Sequence, residues 1–182
     1  MHQRTRNKRR GGTLVFMLGV VFVIIIFSMF FLEMHEIWNY QYSIEARAQR
    51  AVNAAVEWAM DDTYRSDGYN YMDVKEAEKV IYEYLNEDLL GIEESNANGG
   101  TKKTSRGEKL YSVKYNSVEY LGKFYDGVTK KTLAKGIEVK MTVTMYSNMY
   151  LEFGGNGLFT WDSTISSTNF RTDDNMRAGA GL

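Results

Sequence analysis

The feature that most constrains this chain is an uncharged, largely apolar run over residues 11–32. At about 1.5 Å per residue, a helix of this length crosses a hydrocarbon core of roughly 30 Å. A cleaved signal peptide usually has a shorter apolar core of about 7–15 residues, and no small-x-small cleavage motif follows this run. We therefore predict a retained transmembrane helix over residues 13–32, whose span is marked by Leu14, Phe16, Val20, Ile25 and Phe30.

Charge is distributed unevenly about this run. The charged residues of the first 32 positions are all basic: Arg4, Arg6, Lys8, Arg9 and Arg10. Basic flanks resist translocation, so residues 1–12 are predicted to be cytoplasmic and the C-terminal domain extracytoplasmic, in a single-pass protein of the cell membrane. Of the 22 basic residues, these five precede the run and leave 17 against all 23 acidic residues. Such a balance argues against a nucleic-acid partner, which needs clustered Lys and Arg.

No helix-stopping residue follows the run, so the helix is predicted to continue to about residue 60, with residues 33–61 as a helical stem. Apolar and small residues recur at alternating spacings of three and four, with Gln41 as the polar interruption: Met34, Ile37, Gln41, Ile44, Ala48, Ala51, Ala55 and Trp58. The alanines have two interpretations. They are covered by the protein's own sheet, or the part of the stripe nearer the membrane, Met34–Ile44, stays uncovered and packs against neighbouring subunits.

Residues 62–170 are predicted to form a small outer domain. Asp73 can cap a second helix over 74–90, and Gly91 can end it. Residues 91–109 are polar and glycine-rich, either a flexible connection or an exposed hairpin. The segment from Gly136 to Tyr146 alternates, which indicates a strand with one buried and one wet face. The predicted fold class is α+β, in which a long N-terminal helix and a second helix pack on a small antiparallel sheet.

Two shorter expectations complete this outer domain. Residues 111–115 alternate like a strand, and 153–157 form a turn between strands at 150–153 and 158–161. Residues 171–182 are expected to be a flexible tail.

The chain offers few groups for chemistry. Its two histidines, His2 and His35, lie on opposite sides of the predicted membrane, and it has no cysteine. A zinc site and a Ser-His-Asp triad in the outer domain are therefore not expected. Acidic residues over Asp61–Asp73 suggest a calcium loop, but their spacing does not match an EF-hand, so a solvated loop with a helix cap is preferred. We expect no enzymatic activity, no cofactor and no small-molecule substrate.

The basic head, the glycine pair and the span RRGGTLVFMLGVVFVIIIFSMFFLE resemble the N-termini of TadE/TadG-like proteins. These are minor pilins or pseudopilins of the tight-adherence (Tad, Flp-type) pilus system. The resemblance is strongest over residues 8–60, where Glu33 closes the span as an acidic residue does in the family, and the strand IEVKMTVTMY is similar to its β-rich C-terminal part. The resemblance implies a pilin-like fold, pilin-like subunits and a secretion platform as partners beside the lipid bilayer, and a role in pilus assembly, secretion or cell adhesion.

One position departs from the pattern of processed pilins. Those proteins usually carry glutamate five residues after the cut, and a cut between Gly12 and Thr13 would place Met17 there. Gly12 and Thr13 are thus the candidate peptidase cleavage site, and a membrane-resident, uncleaved form is the other interpretation. The alternative function is a signal-anchored extracytoplasmic binding module that does not polymerise.

Overall fold

The structure, a computed structural model, describes residues 4–61, 63, 70–146 and 159–168, with side chains from Gly12 onward. Contacts divide the chain into two units, Met1–Gln41 and Tyr42–Leu182, and the second is called the outer unit after its predicted location. The described elements, in chain order, are α1 (Arg4–Trp58), β1 (Met72–Asp73), α2 (Val74–Leu90), β2 (Gly100–Lys103), β3 (Lys109–Leu121), β4 (Phe124–Asp126), β5 (Lys131–Ala134), β6 (Gly136–Met145) and β7 (Phe159–Thr168). The chain has an α+β fold with a long N-terminal helix and antiparallel sheets, as predicted.

Helix α2 begins and ends where its sequence predicts. The Asp73 carboxylate accepts a hydrogen bond from the Lys75 amide at 2.9 Å, which satisfies one of the free N–H groups of the first turn. Gly91 follows the last turn at φ 75°, a left-handed conformation that favours glycine, and its amide donates to the Asn86 and Glu87 carbonyls. The side chains of Ala77, Ile81 and Leu85 are fully buried and form the core face of the helix.

The main sheet has the order β2-β3-β6-β7, and each of its strand pairs is antiparallel. Strand β6 alternates as the sequence predicts, and the side chains of one face are all buried: Ile137, Val139, Met141, Val143 and Met145. The opposite face is polar, and its side chains bond across the strands. The Thr142 hydroxyl accepts from Asn116 at 2.8 Å and donates to Asp162 at 2.6 Å. One face therefore meets the core and the other meets water.

The hairpin interpretation of residues 91–109 is confirmed. Strand β2 pairs with β3 in an antiparallel register, and a turn at 104–108 joins them. Before β2, residues 92–98 are exposed, but the buried Asn86 side chain holds this segment by donating to the carbonyls of Glu94 and Asn96. Asn86 also accepts from the Tyr115 hydroxyl at 2.9 Å, so its amide satisfies three groups.

A second small sheet, in the order β1-β5-β4, has no counterpart in the sequence prediction. Strands β4 and β5 form a hairpin with register Phe124↔Leu133 and Asp126↔Lys131. Leu133 is fully buried, and β5 also pairs with β1 through Met72↔Ala134. This sheet closes the outer unit beside the end of α1, because the Met60 backbone forms a β-bridge with Met72.

The core of the outer unit lies between α1, α2 and the buried face of the main sheet. Ala48, Ala51 and Ala55 are 0% exposed, so the interpretation in which the alanine stripe is covered by the protein's own chain is confirmed. Strand β7 lies at one edge of the sheet, and the Ser166 carbonyl accepts a hydrogen bond from the Gln49 side chain of α1 at 3.0 Å. Strand β7 runs further than the predicted 158–161. The predicted turn at 153–157, the strand at 150–153 and the tail at 171–182 lie outside the described residues.

Candidate membrane anchor

The predicted span is a regular part of α1, and its side chains are exposed along its whole length. Residues 12–32 contain no charged side chain, and this is the one helix among the described residues that is long and apolar enough to cross a membrane. The fractional exposures of the predicted marker residues are 70% for Leu14, 70% for Phe16, 40% for Val20, 50% for Ile25 and 47% for Phe30. Such a continuous apolar surface is unfavourable in water and favourable in hydrocarbon.

The polar groups of this segment are satisfied within the helix. Backbone N–H and C=O groups bond along α1, as the absence of water in a bilayer core requires. The Ser28 hydroxyl donates to the Ile24 carbonyl one turn earlier at 2.8 Å. This i−4 bond removes the penalty of exposing a free hydroxyl to lipid. A cationic or anionic group would have no such local partner, and the segment contains none.

The candidate topology and cleavage residues lie in the first turns of the same helix. Helix α1 already begins at Arg4, so Arg4, Arg6, Lys8, Arg9 and Arg10 belong to it, although their side chains lie outside the described part. The backbone passes through Gly12 and Thr13 without a break. A peptidase would therefore have to unwind this turn, which the glycine pair makes easier by about 1 kcal/mol per glycine relative to alanine.

The candidate subunit-packing residues divide into two classes. Ile37 and Ile44 are 4% and 1% exposed, whereas Met34 and Gln41 are half-buried. Ile44 belongs to the core cluster of the outer unit. The expectation that Ile37 and Ile44 stay uncovered for a neighbouring subunit is therefore not met by this chain on its own. Trp38 and Tyr42 instead present free surface, at 62% and 78% exposure.

The prediction that the packed face of α1 extends to Trp58 is wrong. It includes Trp58, but that side chain is 65% exposed, while Ala59 is 2% exposed. A repeat of seven residues drifts by about 20° per heptad relative to a straight helix of 3.6 residues per turn. Three heptads separate Ile37 from Trp58, so the accumulated drift carries Trp58 off the buried face. The buried set follows the true helical period instead: Ile44, Ala48, Ala51, Val52, Ala55, Val56 and Ala59.

An ion cluster that sequence reasoning missed follows the end of α1. The Lys131 ammonium of β5 lies 2.7 Å from Asp61 and 3.6 Å from Asp73, and both carboxylates are buried. The hydrogen bond from Lys131 holds the pKa of Asp61 below its ordinary range, and the same bond raises the pKa of Lys131. Asp61 also accepts from the Thr63 amide at 2.9 Å.

This cluster bears on the calcium interpretation of the Asp61–Asp73 loop. Its two flanking carboxylates already face an ammonium group, which repels a cation. Asp62 and Asp67 lie outside the described residues. Within the described part of the chain, no group of three or more His, Cys, Asp or Glu side chains is placed to hold a metal ion. The contact between Asp61 and Lys131 joins distant parts of the sequence, so only a long-range pairing signal would have found it.

Comparison of the chain with known protein families, with curated proteins and with solved structures finds no match.

Proposed function

We propose that this chain is a membrane-anchored, pilin-like structural or assembly protein, of the TadE/TadG-like kind, in a pilus or secretion machine. The observation that carries the proposal is the composition of α1. One helix contains an uncharged segment with exposed apolar side chains and, further along, a segment whose alanines pack under an antiparallel sheet. A helix of this kind serves both as a lipid anchor and as the core element of an α+β unit, which is the arrangement a pilin-like subunit needs.

In this proposal the basic residues before Gly12 stay in the cytoplasm and residues beyond Leu32 lie outside. The apolar segment holds the subunit in the bilayer until it packs against the corresponding helices of other subunits. The exposed residues of α1 above the span, Trp38 and Tyr42, then face a neighbouring helix. The proposed role is mechanical, with no bond made or broken in a substrate.

The test is photo-crosslinking of the full chain in the membranes of producing cells. A photoreactive residue at Trp38 should form adducts with a second copy or with another single-span subunit. The matched control is the same group at Ile44, which is buried and should give no intermolecular adduct. Recovery of the chain from the soluble fraction, or adducts with lipid alone at Trp38, would contradict the proposal.

The burial of Ile37 and Ile44 favours one alternative, a signal-anchored extracytoplasmic binding module that does not polymerise. With these side chains covered, less of α1 is free to meet a neighbour. The mass of the mature protein extracted from membranes tests processing, and the Trp38 adducts test association. Loss of residues 1–12 indicates processing before Thr13 and supports the pilin-like assignment, whereas an intact N-terminus together with no protein adduct at Trp38 supports a resident module.

A further inference from the structure

The β4–β5 hairpin, residues 122–135, presents apolar side chains to solvent: Val128 lies in the turn at its tip, and Phe124 and Tyr125 lie along β4. Val128 is 88% exposed, Tyr125 66% and Phe124 38%. The same hairpin carries four exposed lysines, and three of them, Lys123, Lys130 and Lys135, pair with no carboxylate in the described part of the chain. We refer to residues 122–135 as the basic hairpin. Apolar side chains ringed by unpaired charge of one sign mark an interaction surface.

The basic hairpin is held rigidly. The Asp126 carboxylate accepts from the Val128 amide at 3.2 Å, from the Thr129 amide at 2.9 Å and from the Thr129 hydroxyl. Lys130 is held at φ 56°, a left-handed conformation that is unfavourable for a residue with a Cβ. The Lys131 ion pairs hold the end of β5 that adjoins the turn. A loop ordered in this way loses little conformational entropy on binding, so a contact through its exposed apolar tip has a small entropic cost.

A surface of the opposite charge lies at the C-terminal end of α2. Glu87, Glu93 and Glu94 are exposed, and no cation of the described residues pairs with them. The last turn of α2 contains no basic residue, although the negative end of a helix dipole favours one. Lys102, from β2, donates to the Leu90 carbonyl at 2.7 Å, and Arg50 pairs with Asp88, so neither cation pairs with these glutamates in the described part of the chain. Beside these glutamates, Ile92 is 40% exposed. We refer to Glu87 and Ile92–Glu94 as the acidic end.

These two surfaces lie at opposite ends of α2. Asp73 caps the first turn and faces Lys131 of the basic hairpin, whereas the acidic end follows the last turn. The 17 residues of α2 separate them by about 25 Å. They therefore cannot meet within one chain, and a contact between unlike surfaces of identical chains is head-to-tail.

We propose that the basic hairpin of one copy docks on the acidic end of the next copy, and so joins outer units head-to-tail. The charges of the two surfaces are complementary, and the apolar tip meets the exposed Ile92. The contact is small, so it depends on the anchor to concentrate the copies in one membrane or filament. This inference rests on the proposed function and names the surfaces through which outer units would associate.

The absence of native cysteine makes disulfide trapping specific. The full-length double variant Ile92→Cys/Val128→Cys, in the membranes of producing cells, should give a ladder of dimers, trimers and longer species on mild oxidation. Each single variant should stay monomeric, because a head-to-tail contact pairs position 92 only with position 128. The double variant Ile92→Cys/Thr164→Cys, with an exposed residue of β7, is the matched control for random collision.

A second experiment reverses the charges of the basic hairpin and of the acidic end. Adding Lys123→Glu and Lys130→Glu should reduce the ladder at least tenfold, and adding Glu87→Lys and Glu93→Lys to that variant should restore it. The docking proposal would be overturned if charge reversal left the ladder unchanged, or if the control pair gave an equal ladder. It would also be overturned by a dimer from Val128→Cys alone or by monomers in every variant. Failure here with intact Trp38 adducts would leave the pilin-like function standing, whereas loss of those adducts would remove that function.

Discussion

The Lys131 ammonium lies 2.7 Å from the Asp61 carboxylate and so joins the segment that follows α1 to strand β5, 70 positions later in the chain. Asp73, which caps α2, lies 3.6 Å from the same nitrogen. A single cation thus connects the end of one helix, the start of the other and the small sheet. The carboxylates are buried, whereas the Lys131 side chain is 45% exposed, so water screens the pair on one side only.

Replacing Lys131 by methionine should destabilise the outer unit by about 1–2 kcal/mol, because it leaves buried Asp61 without its charged donor. The control is Lys79→Met, which breaks an exposed pair with Glu76 and should change stability by less than about 0.5 kcal/mol. Urea unfolding of the full chain in detergent measures both. Equal effects of the two variants would show that burial of Asp61 adds nothing.

The same pair predicts a pH dependence. The pKa of Asp61 is lowered from its ordinary 3.8, so the unfolded chain binds more protons than the folded one in this range. The stabilisation from Asp61 is therefore complete above its unfolded pKa and lost as pH falls through the folded value. Unfolding midpoints between about pH 2 and pH 7 should fall less steeply on the acid side in Asp61→Asn than in the parent chain. Parallel curves would contradict this prediction.

The pH dependence of the Lys131 contribution has the opposite sign. Its pKa is raised above 10.5, so the contribution of Lys131 is complete below that value and lost as pH rises through the folded value.

Asn86→Leu should destabilise the chain by about 2–4 kcal/mol, since it leaves the Tyr115 hydroxyl and the Glu94 carbonyl without their partner and leaves the Asn96 carbonyl with the Gly99 amide as its remaining donor. It should also speed proteolysis within residues 92–98, which Asn86 holds. Asn116→Leu, on the exposed face of the main sheet, removes one bond to Thr142 and should cost under about 1 kcal/mol. Urea unfolding and limited proteolysis give the two readouts. Unchanged cleavage would argue that Asn86 is not what orders this segment.

Gly99 and Gly107 both have left-handed backbones, but only Gly99 is closely approached by other atoms. Comparing alanine variants at the two positions therefore distinguishes the cost of a steric clash from the cost of the backbone conformation. At Gly99, φ is 80° and a Cβ would lie 2.0 Å from the Val113 carbonyl oxygen, whereas at Gly107, φ is 85° and no atom lies within 4 Å. Gly107→Ala should therefore cost only the left-handed penalty of about 1–2 kcal/mol. Gly99→Ala should cost clearly more, because β2 must also shift away from β3. Thermal or urea unfolding of the two variants compares them, and equal losses would contradict the close approach.

Charge within the span should weaken anchoring. Arginine at Val20, Ile25 and Phe30 together should move the chain from the carbonate-resistant membrane fraction to the soluble or degraded pool, since each arginine costs about 3 kcal/mol at mid-membrane. Leucine at the same three positions is the control and should leave fractionation unchanged. Retention of the arginine variant in membranes would indicate that this segment does not hold the chain there.

Local signals predicted the elements that depend on local physics. Asp73 and Gly91 mark the ends of α2 because cap chemistry is encoded within a few residues. The period-two pattern of Ile137–Met145 predicted a buried strand face because burial of alternate side chains leaves a direct trace in sequence. The long apolar helix was predicted from its length and from the absence of charge over residues 11–32.

Other features could not be predicted from local sequence. They depend on angular drift along a long helix or on contacts with residues far away in the chain. Trp58 left the buried face through helical drift, which a seven-residue template hides. Strands β4 and β5 are short and carry no apolar alternation, so the hairpin left no pattern to read. The Asp61–Lys131 pair and the cover over Ile44 arise from tertiary packing, and neither residue type indicates its partner from sequence alone.

The hydrogen bond from Gln49 to the Ser166 carbonyl has a consequence for solubility. Strand β7 is an edge, and an edge with free acceptors recruits strands from other molecules into runaway sheet growth. A glutamine amide from the chain's own helix occupies one of those acceptors. Pairing of a foreign strand with β7 would have to displace this glutamine first, so growth of the sheet at that edge is disfavoured.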